Sequence, residues 1–197
     1  MANQLIIVDD HAAVRAGLAT LIAPEPDLDV VALTADADAA LACAEEHSPD
    51  VVLVDFHLPD EDGLSLCLRL EGSARTVLYS AFADDLLAVL AAVAGADALV
   101  PKSADPTELL DTLRAVAAGE RVRPLPSPAA LNTVGASLDP ADLPVLGMLV
   151  HGTAPGEVAD TLGMPPDWLL ARRWAILRRL SPRRVRRGSA LEVAVTD

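Results

Sequence analysis

Lysine is almost missing from this chain. Lys102 is the one lysine in 197 residues, and the other fourteen cations are arginine. Cysteine is scarce too. Cys43 and Cys67 lack the paired spacing of a metal site and fall in helical patterns, which excludes a disulfide framework and predicts reduced thiols in a cytosolic protein. Long apolar runs are absent. The longest uncharged one, Leu86 to Ala96, is far too short to cross a bilayer. The N-terminus enters a strand pattern directly, without a basic region ahead of an apolar one, so no secretory leader is expected. The expectation is a soluble, cytoplasmic chain with no membrane contact and no internal repeat. Aromatics make up only 3 % of residues, yet both tryptophans, Trp168 and Trp174, stand in the single stretch MPPDWLLARRWAIL (164–177).

The formal net charge is −14, unevenly spread. Residues 1–120 carry 5 basic and 22 acidic side chains, a net of −17, whereas residues 121–197 carry 10 basic and 7 acidic, a net of +3. A change of sign between halves points to two domains with different partners. Nucleic acid is repelled by the first half and approachable only through the second.

Short apolar runs alternate with helical patterns through the first 120 residues. LIIV (5–8), VVALT (30–34), VVLV (51–54), TVLYS (76–80) and ALV (98–100) read as strands. Helical spacing covers 12–23, 36–47, 62–71, 84–94 and 106–118. Five βα units predict a parallel sheet with helices on both faces. The fully apolar Val51–Val54 suits a strand covered on both sides, and Pro101 places the fifth strand at the rim. Residues 121–135, with three prolines in five residues, read as a linker closing with a short helix. Asp139-Pro140 then opens a run of short helices. The first carries Val145, Leu146 and Leu149 on its apolar face. A second covers 155–162 and ends at Gly163, and a third runs from Pro165-Pro166 to about Leu180.

In such sheets ligands sit beyond the carboxyl ends of the strands. Those ends carry Asp9, Asp10, Asp55, Ser80 and Lys102. Carboxylates converging on one edge repel one another unless a cation joins them, and Mg²⁺ fits because it takes one or two carboxylates together with phosphate oxygens. A carboxylate held in this way can attack phosphorus to give an acyl phosphate. The lone lysine, a compact charge on a flexible stem, suits a small phosphoryl pocket better than a planar guanidinium does.

VDDHAAVRAGL (8–18), VDFHLPDEDGL (54–64), YSAF (79–82) and GADALVPKS (95–103) resemble, in order and spacing, the receiver domain of two-component response regulators. The resemblance implies a flavodoxin-like five-stranded parallel sheet of order 2-1-3-4-5 over residues 1–120. It implies Asp55 as phosphoacceptor, Asp9, Asp10, Asp55 and the His57 backbone carbonyl as Mg²⁺ ligands, Ser80 as the switch hydroxyl and Lys102 as the phosphoryl partner. Two departures stand out. The aromatic this family usually carries three residues before the lysine is Leu99 here, which makes coupling from Ser80 to the surface weaker or differently built. His57 stands two residues after the phosphoacceptor, where it is expected to influence phosphoryl lifetime; an aspartate-nucleophile phosphatase would need an acid there. The expectation is a phosphoryl acceptor with at most self-dephosphorylation, not an enzyme.

LDPADLPVLGMLVHGTAPGEVADTLGMPPDWLLARRWAILRRL (138–180) resembles the four-helix, helix-turn-helix domain of LuxR/NarL-type regulators. That gives a linker at 121–137 and an all-α LuxR-type domain at 138–197, with a fourth helix from about Ser189 across Leu191 to Val195. Residues 166–180 would then be the recognition helix, which lies in the major groove in such folds. Its DNA-contact candidates are Trp168, Leu170, Ala171, Arg172, Trp174 and Arg178. Leu169, Arg173, Ile176 and Leu180 share one face, with Arg172 and Leu177 beside it, and Asp167, Ala171, Trp174 and Arg178 point the other way. The family's polar positions are Trp168, Leu170 and Trp174 here. Leu170, Trp174 and Leu177 form an apolar stripe that either reads a groove, meets a protein partner, or is packed between the fourth helix and the acidic domain. The arginines suit phosphate neutralisation, and equally a clasp on the −17 half.

The expected function is a two-component response regulator. A sensor histidine kinase or small phosphodonor phosphorylates Asp55, and the helical domain binds promoter DNA as a homodimer matched to two-fold operators. The alternative is an altered recognition helix that works through a protein partner or independently of phosphorylation.

Overall fold

The structure is a computed structural model, and it describes residues 2–59 and 61–180. Five strands, β1 (Asn3–Val8), β2 (Leu28–Thr34), β3 (Val51–Asp55), β4 (Arg75–Ser80) and β5 (Ala98–Pro101), pair in parallel in the order β2-β1-β3-β4-β5. Five helices, α1 (Ala12–Ile22), α2 (Ala37–His47), α3 (Gly63–Leu70), α4 (Asp85–Ala94) and α5 (Pro106–Ala117), follow the strands in turn. Asp36, Asp62, Asp84 and Asp105 each cap the next helix by accepting a backbone N–H, so many loop acids near the sheet edge have a structural task.

Side chains alternate along each strand, which divides the core into two apolar layers. Leu5, Ile7, Leu53 and Val77 pack with Leu18, Ile22 and Leu113 of α1 and α5. Ile6, Val8, Val54 and Leu78 pack on the other side, toward α2, α3 and α4. Val51 to Val54 are at most 1 % exposed, as a strand with no polar face requires.

The chain then runs along the end of β5, where Val122 bridges in parallel with Ala98 and its N–H donates to Asp97 O at 2.8 Å. Helices α6 (Pro128–Gly135), α7 (Leu143–Val150), α8 (Pro155–Leu162) and α9 (Pro166–Leu180) complete the described residues. The Asp139-Pro140 start differs from the expected simple cap. Residues Pro140–Asp142 form a 3-10 turn, Asp139 makes no side-chain cap, and α7 begins only at Leu143. Pro144 explains this, since it has no N–H for a helix running on from Pro140. The fourth helix expected from Ser189 lies outside the described residues.

The helical part packs on α4, whose sequence DLLAVLAAVA has no polar face and whose residues Leu87 to Ala94 are all buried. A helix apolar all round must be covered on every side. Here the sheet covers one side, and α6, α7 and α9 cover the other. Val145, Leu149, Leu169, Ile176 and Leu177 join the same apolar cluster as Leu78 and Leu90.

Candidate functional site

Because all five strands point one way, Asp9, Asp55, Ser80 and Lys102 arrive at the same edge. Asp9 and Asp10 follow β1, Asp55 ends β3 and Ser80 ends β4. The Lys102 N–H donates to Ser80 O at 2.7 Å, which fixes the lysine just past β5. Gly63 sets how closely α3 approaches. A Cβ there would stand 2.3 Å from Asp55 O, so only glycine lets the helix begin against the end of β3.

Lys102 Nζ lies 2.7 Å from Asp9 Oδ2 and 2.9 Å from Asp55 Oδ1, joining two carboxylates that are 1 % and 4 % exposed. Burial pushes the Asp55 carboxyl above its ordinary range; the Lys102 ammonium opposes this, and the nearby Asp9 charge adds to it. Burial works against the Lys102 ammonium as well. Its hydrogen bonds to Asp9 and Asp55 outweigh that and hold it above the usual lysine value. The Tyr79 ring lies beneath the ammonium, 5.6 Å from ring centre to Nζ.

Oxygen atoms of Asp9, Asp10 and Asp55 and a His11 ring nitrogen all lie within 4.8 Å of one another. Asp10 Oδ1 is cut off from solvent with no hydrogen-bond partner and stands against His11 Nδ1. Three carboxylates, one with a buried oxygen that only the His11 ring approaches, form a hard, anionic donor set that fits Mg²⁺. The sequence reading missed His11, although its place directly after Asp9-Asp10 was a signal. Its N–H also donates to Asp9 Oδ1 at 2.8 Å. His57 is exposed and bridged to Asp62, and its ring meets Phe56 edge-on at 4.7 Å. The Ser80 hydroxyl is fully buried. It donates to Phe82 O at 3.3 Å and accepts from Phe82 N–H at 3.2 Å. Leu99 is 6 % exposed and packed in the α4-side layer.

The second group of candidates, on α9, is divided by the fold. Leu169, Arg173, Ile176 and Leu177 are buried. Trp168 and Leu170 are 44 % and 40 % exposed, and Ala171 and Arg178 are exposed. Trp174 was expected to point away from the core, but it is half-buried and packs against the apolar cluster. Arg172 pairs with the buried Asp142 at 2.8 Å and lies over the Trp168 ring at 4.6 Å, so it is already engaged within the helical part. The stripe Leu170, Trp174, Leu177 thus runs from solvent into the seam. Its buried end, Leu177 with Trp174 against it, joins the apolar cluster shared by the α/β and helical parts, and the fourth helix of the packing reading lies outside the described residues. Arg173 was placed from sequence on the face of Leu169, Ile176 and Leu180, which is the buried face, but no partner was assigned to it.

A parallel sheet of this order, with acids and a lysine at its carboxyl edge, defines a receiver domain. Residues 5–114 match the family model for the response regulator receiver domain. The chain is 31 % identical over 177 residues to the transcriptional regulatory protein UhpA of Escherichia coli, covering 88 % of this chain and 89 % of that one. It is 30 % identical over 172 residues to the DNA-binding transcriptional activator DevR/DosR of Mycobacterium tuberculosis, covering 81 % and 79 %. A solved LuxR-family response regulator from Aurantimonas superposes with a TM-score of 0.59 at 33 % identity, over 69 % of this chain and 97 % of that one. The chain belongs to the two-component response regulators of the NarL/LuxR family.

Proposed function

We propose that this chain is phosphorylated on Asp55 and that the modification frees its helical part to bind promoter DNA. The observation that carries this reading is the Lys102 ammonium held between Asp9 and Asp55 at 2.7 and 2.9 Å. A carboxylate oxygen of Asp55 forms the new bond to phosphorus while the donor's bond to phosphorus breaks and its leaving group departs with the electron pair. Lys102 then exchanges a carboxylate for a phosphoryl oxygen, and the Ser80 hydroxyl leaves Phe82 for another. Asp9, Asp10, Asp55 and the His57 carbonyl are the proposed holders of Mg²⁺, which would neutralise charge on the incoming phosphoryl group. The chain is a phosphoryl acceptor with at most self-dephosphorylation, supplied by a sensor histidine kinase or a small acyl phosphate. It works in the cytoplasm as a homodimer. Among the described residues no helix is long and apolar enough to cross a membrane.

Closure supports a switch. The Arg173 face of α9 is held against α3 and α4, so the α/β part fixes where the proposed recognition helix can present its outer side to a duplex. The name of the DevR/DosR relative supports DNA as the target. A second reading has the outer surface of α9 meet a protein; the exposed Trp168 and Leu170 and the engaged Arg172 favour it.

Mobility-shift selection from random duplexes, with and without acetyl phosphate and Mg²⁺, separates the two. Enrichment of a sequence that strengthens with phosphodonor, and is lost in Asp55→Asn, is expected. No enrichment under either condition overturns the DNA reading.

A further inference from the structure

A cavity of about 170 Å³ lies where the α/β part, the linker and the helical part meet. Ala88 and Ala92 of α4, the linker's Arg121, Arg123 and Pro126, and His151 at the end of α7 form its wall. It has room for roughly five waters at about 30 Å³ each. That is ample for a tetrahedral oxyanion, and the side open to solvent leaves room for the rest of a small ester.

Arg123 is the group that nothing else accounts for. Its Nη1 is shut off from solvent and has no hydrogen-bond partner among the described residues. Burial and the Arg121 charge, with a smaller push from Arg173, bring this guanidinium down to about 10 against the opposing charge of Asp97. The local acids are already committed. Asp97 accepts from Thr76 N–H at 3.0 Å and pairs with Arg75 at 3.3 Å and Arg121 at 3.7 Å, while Glu71 pairs with Arg173 at 2.5 Å. Four guanidinium groups therefore face two carboxylates. A half-buried cation whose nearest acid, Asp97, is shared with Arg75 and Arg121 is costly, and the apolar wall of Ala88 and Ala92 strengthens any charge that enters. Pro124 and Pro126 in the lining have no backbone N–H to offer.

We propose that this cavity binds a small phosphate-type oxyanion, either inorganic phosphate or the phosphate group of a small ester, through Arg123 and Arg121 with His151 at its edge. The guanidinium fork matches two oxygens of such an anion. An occupant touches all three parts of the chain at once. It therefore favours the closed arrangement and opposes separation of the helical part in proportion to its concentration. This site is separate from the Asp55 pocket, and its test involves no DNA, so it stands or falls apart from the proposed function.

Calorimetric titration of the full chain at constant ionic strength tests it, with inorganic phosphate in one arm and glycerol phosphate in the other. One saturable site is expected in at least one arm; the tighter arm identifies the source. Arg123→Met, which keeps the buried stem, is expected to weaken binding at least tenfold, and His151→Ala at the edge to weaken it several-fold. Should Arg123→Met fail to fold, His151→Ala decides alone. Absence of saturable binding, or unchanged affinity in these variants, overturns the proposal. So does loss of binding in Lys102→Met instead, which would put the anion beside Asp55.

Discussion

Arg173 of α9 reaches across the seam to donate from Nε to Val93 O at 2.8 Å, at the end of α4. Its Nη1 meets Glu71 Oε2 at 2.5 Å, and the residue is 1 % exposed. Gly95, with φ +79°, leaves the space; a Cβ there would stand 2.6 Å from Arg173 Nη2. One side chain of the proposed DNA-reading helix is thus spent on the α/β part.

Arg173→Met removes both contacts and keeps the stem. Loss of about 2–3 kcal/mol is expected, less than for a fully buried pair because Glu71 is a third exposed. Chemical denaturation measures the loss, and X-ray scattering should show a larger radius of gyration. An unchanged radius and an unchanged midpoint would mean that this contact does not hold the molecule closed.

Lys102→Met leaves Asp9 and Asp55 facing each other without a cation. The expected cost of about 2 kcal/mol lowers the melting midpoint by roughly 4–8 °C for a chain of this size. Mg²⁺ should restore more of the midpoint in the variant than in the parent, because the ion replaces the missing charge. Equal Mg²⁺ responses in thermal melts would count against a shared site.

Cys67 is buried, and burial pushes its thiol up to about 12, the charged Asp97 adding to the shift against a hydrogen bond with Thr76. Near neutral-to-basic pH of about 8 its thiolate fraction is then about 10⁻⁴. Alkylation of the native chain is expected to label the half-buried Cys43 first and Cys67 only on unfolding. Mass mapping of the labelled peptides gives the order.

Asp27 sits below its ordinary value of 3.8 because Arg114 donates to it at 2.7 Å, clasping the start of β2 to α5. A carboxyl lowered by folding stabilises above its unfolded pKa, and that contribution disappears as pH falls through the folded value. Asp27→Asn should therefore be less stable than the parent at neutral pH, and the gap should narrow in acid, as pH falls below the ordinary carboxyl value of 3.8. Denaturant midpoints at the two pH values check it; a gap that persists in acid assigns the effect to packing.

The α/β fold was legible because period-2 strands and period-3.6 helices alternate without ambiguity, and the expected spans differ from the observed ones by a residue or two at most ends. The acids and Lys102 were legible because strand ends are readable and parallel pairing puts them on one edge. What remained hidden depends on surfaces that meet only in three dimensions. DLLAVLAAVA was read as a helix too short to cross a bilayer, but the lack of a polar face, which announces cover on both sides, was not drawn out. Arg123 gave no signal at all, since an arginine in a proline-rich segment reads as solvated until the packing closes over it.

The doubly covered α4 has a further consequence. Once the helical part departs, Leu87, Val89, Leu90 and their neighbours lose half their shelter, and water meets an oily ridge on an otherwise strongly acidic body. A truncated first half, ending before the prolines, would carry that ridge permanently and tend to self-associate. The same exposure gives an activated molecule a reason to find a twin.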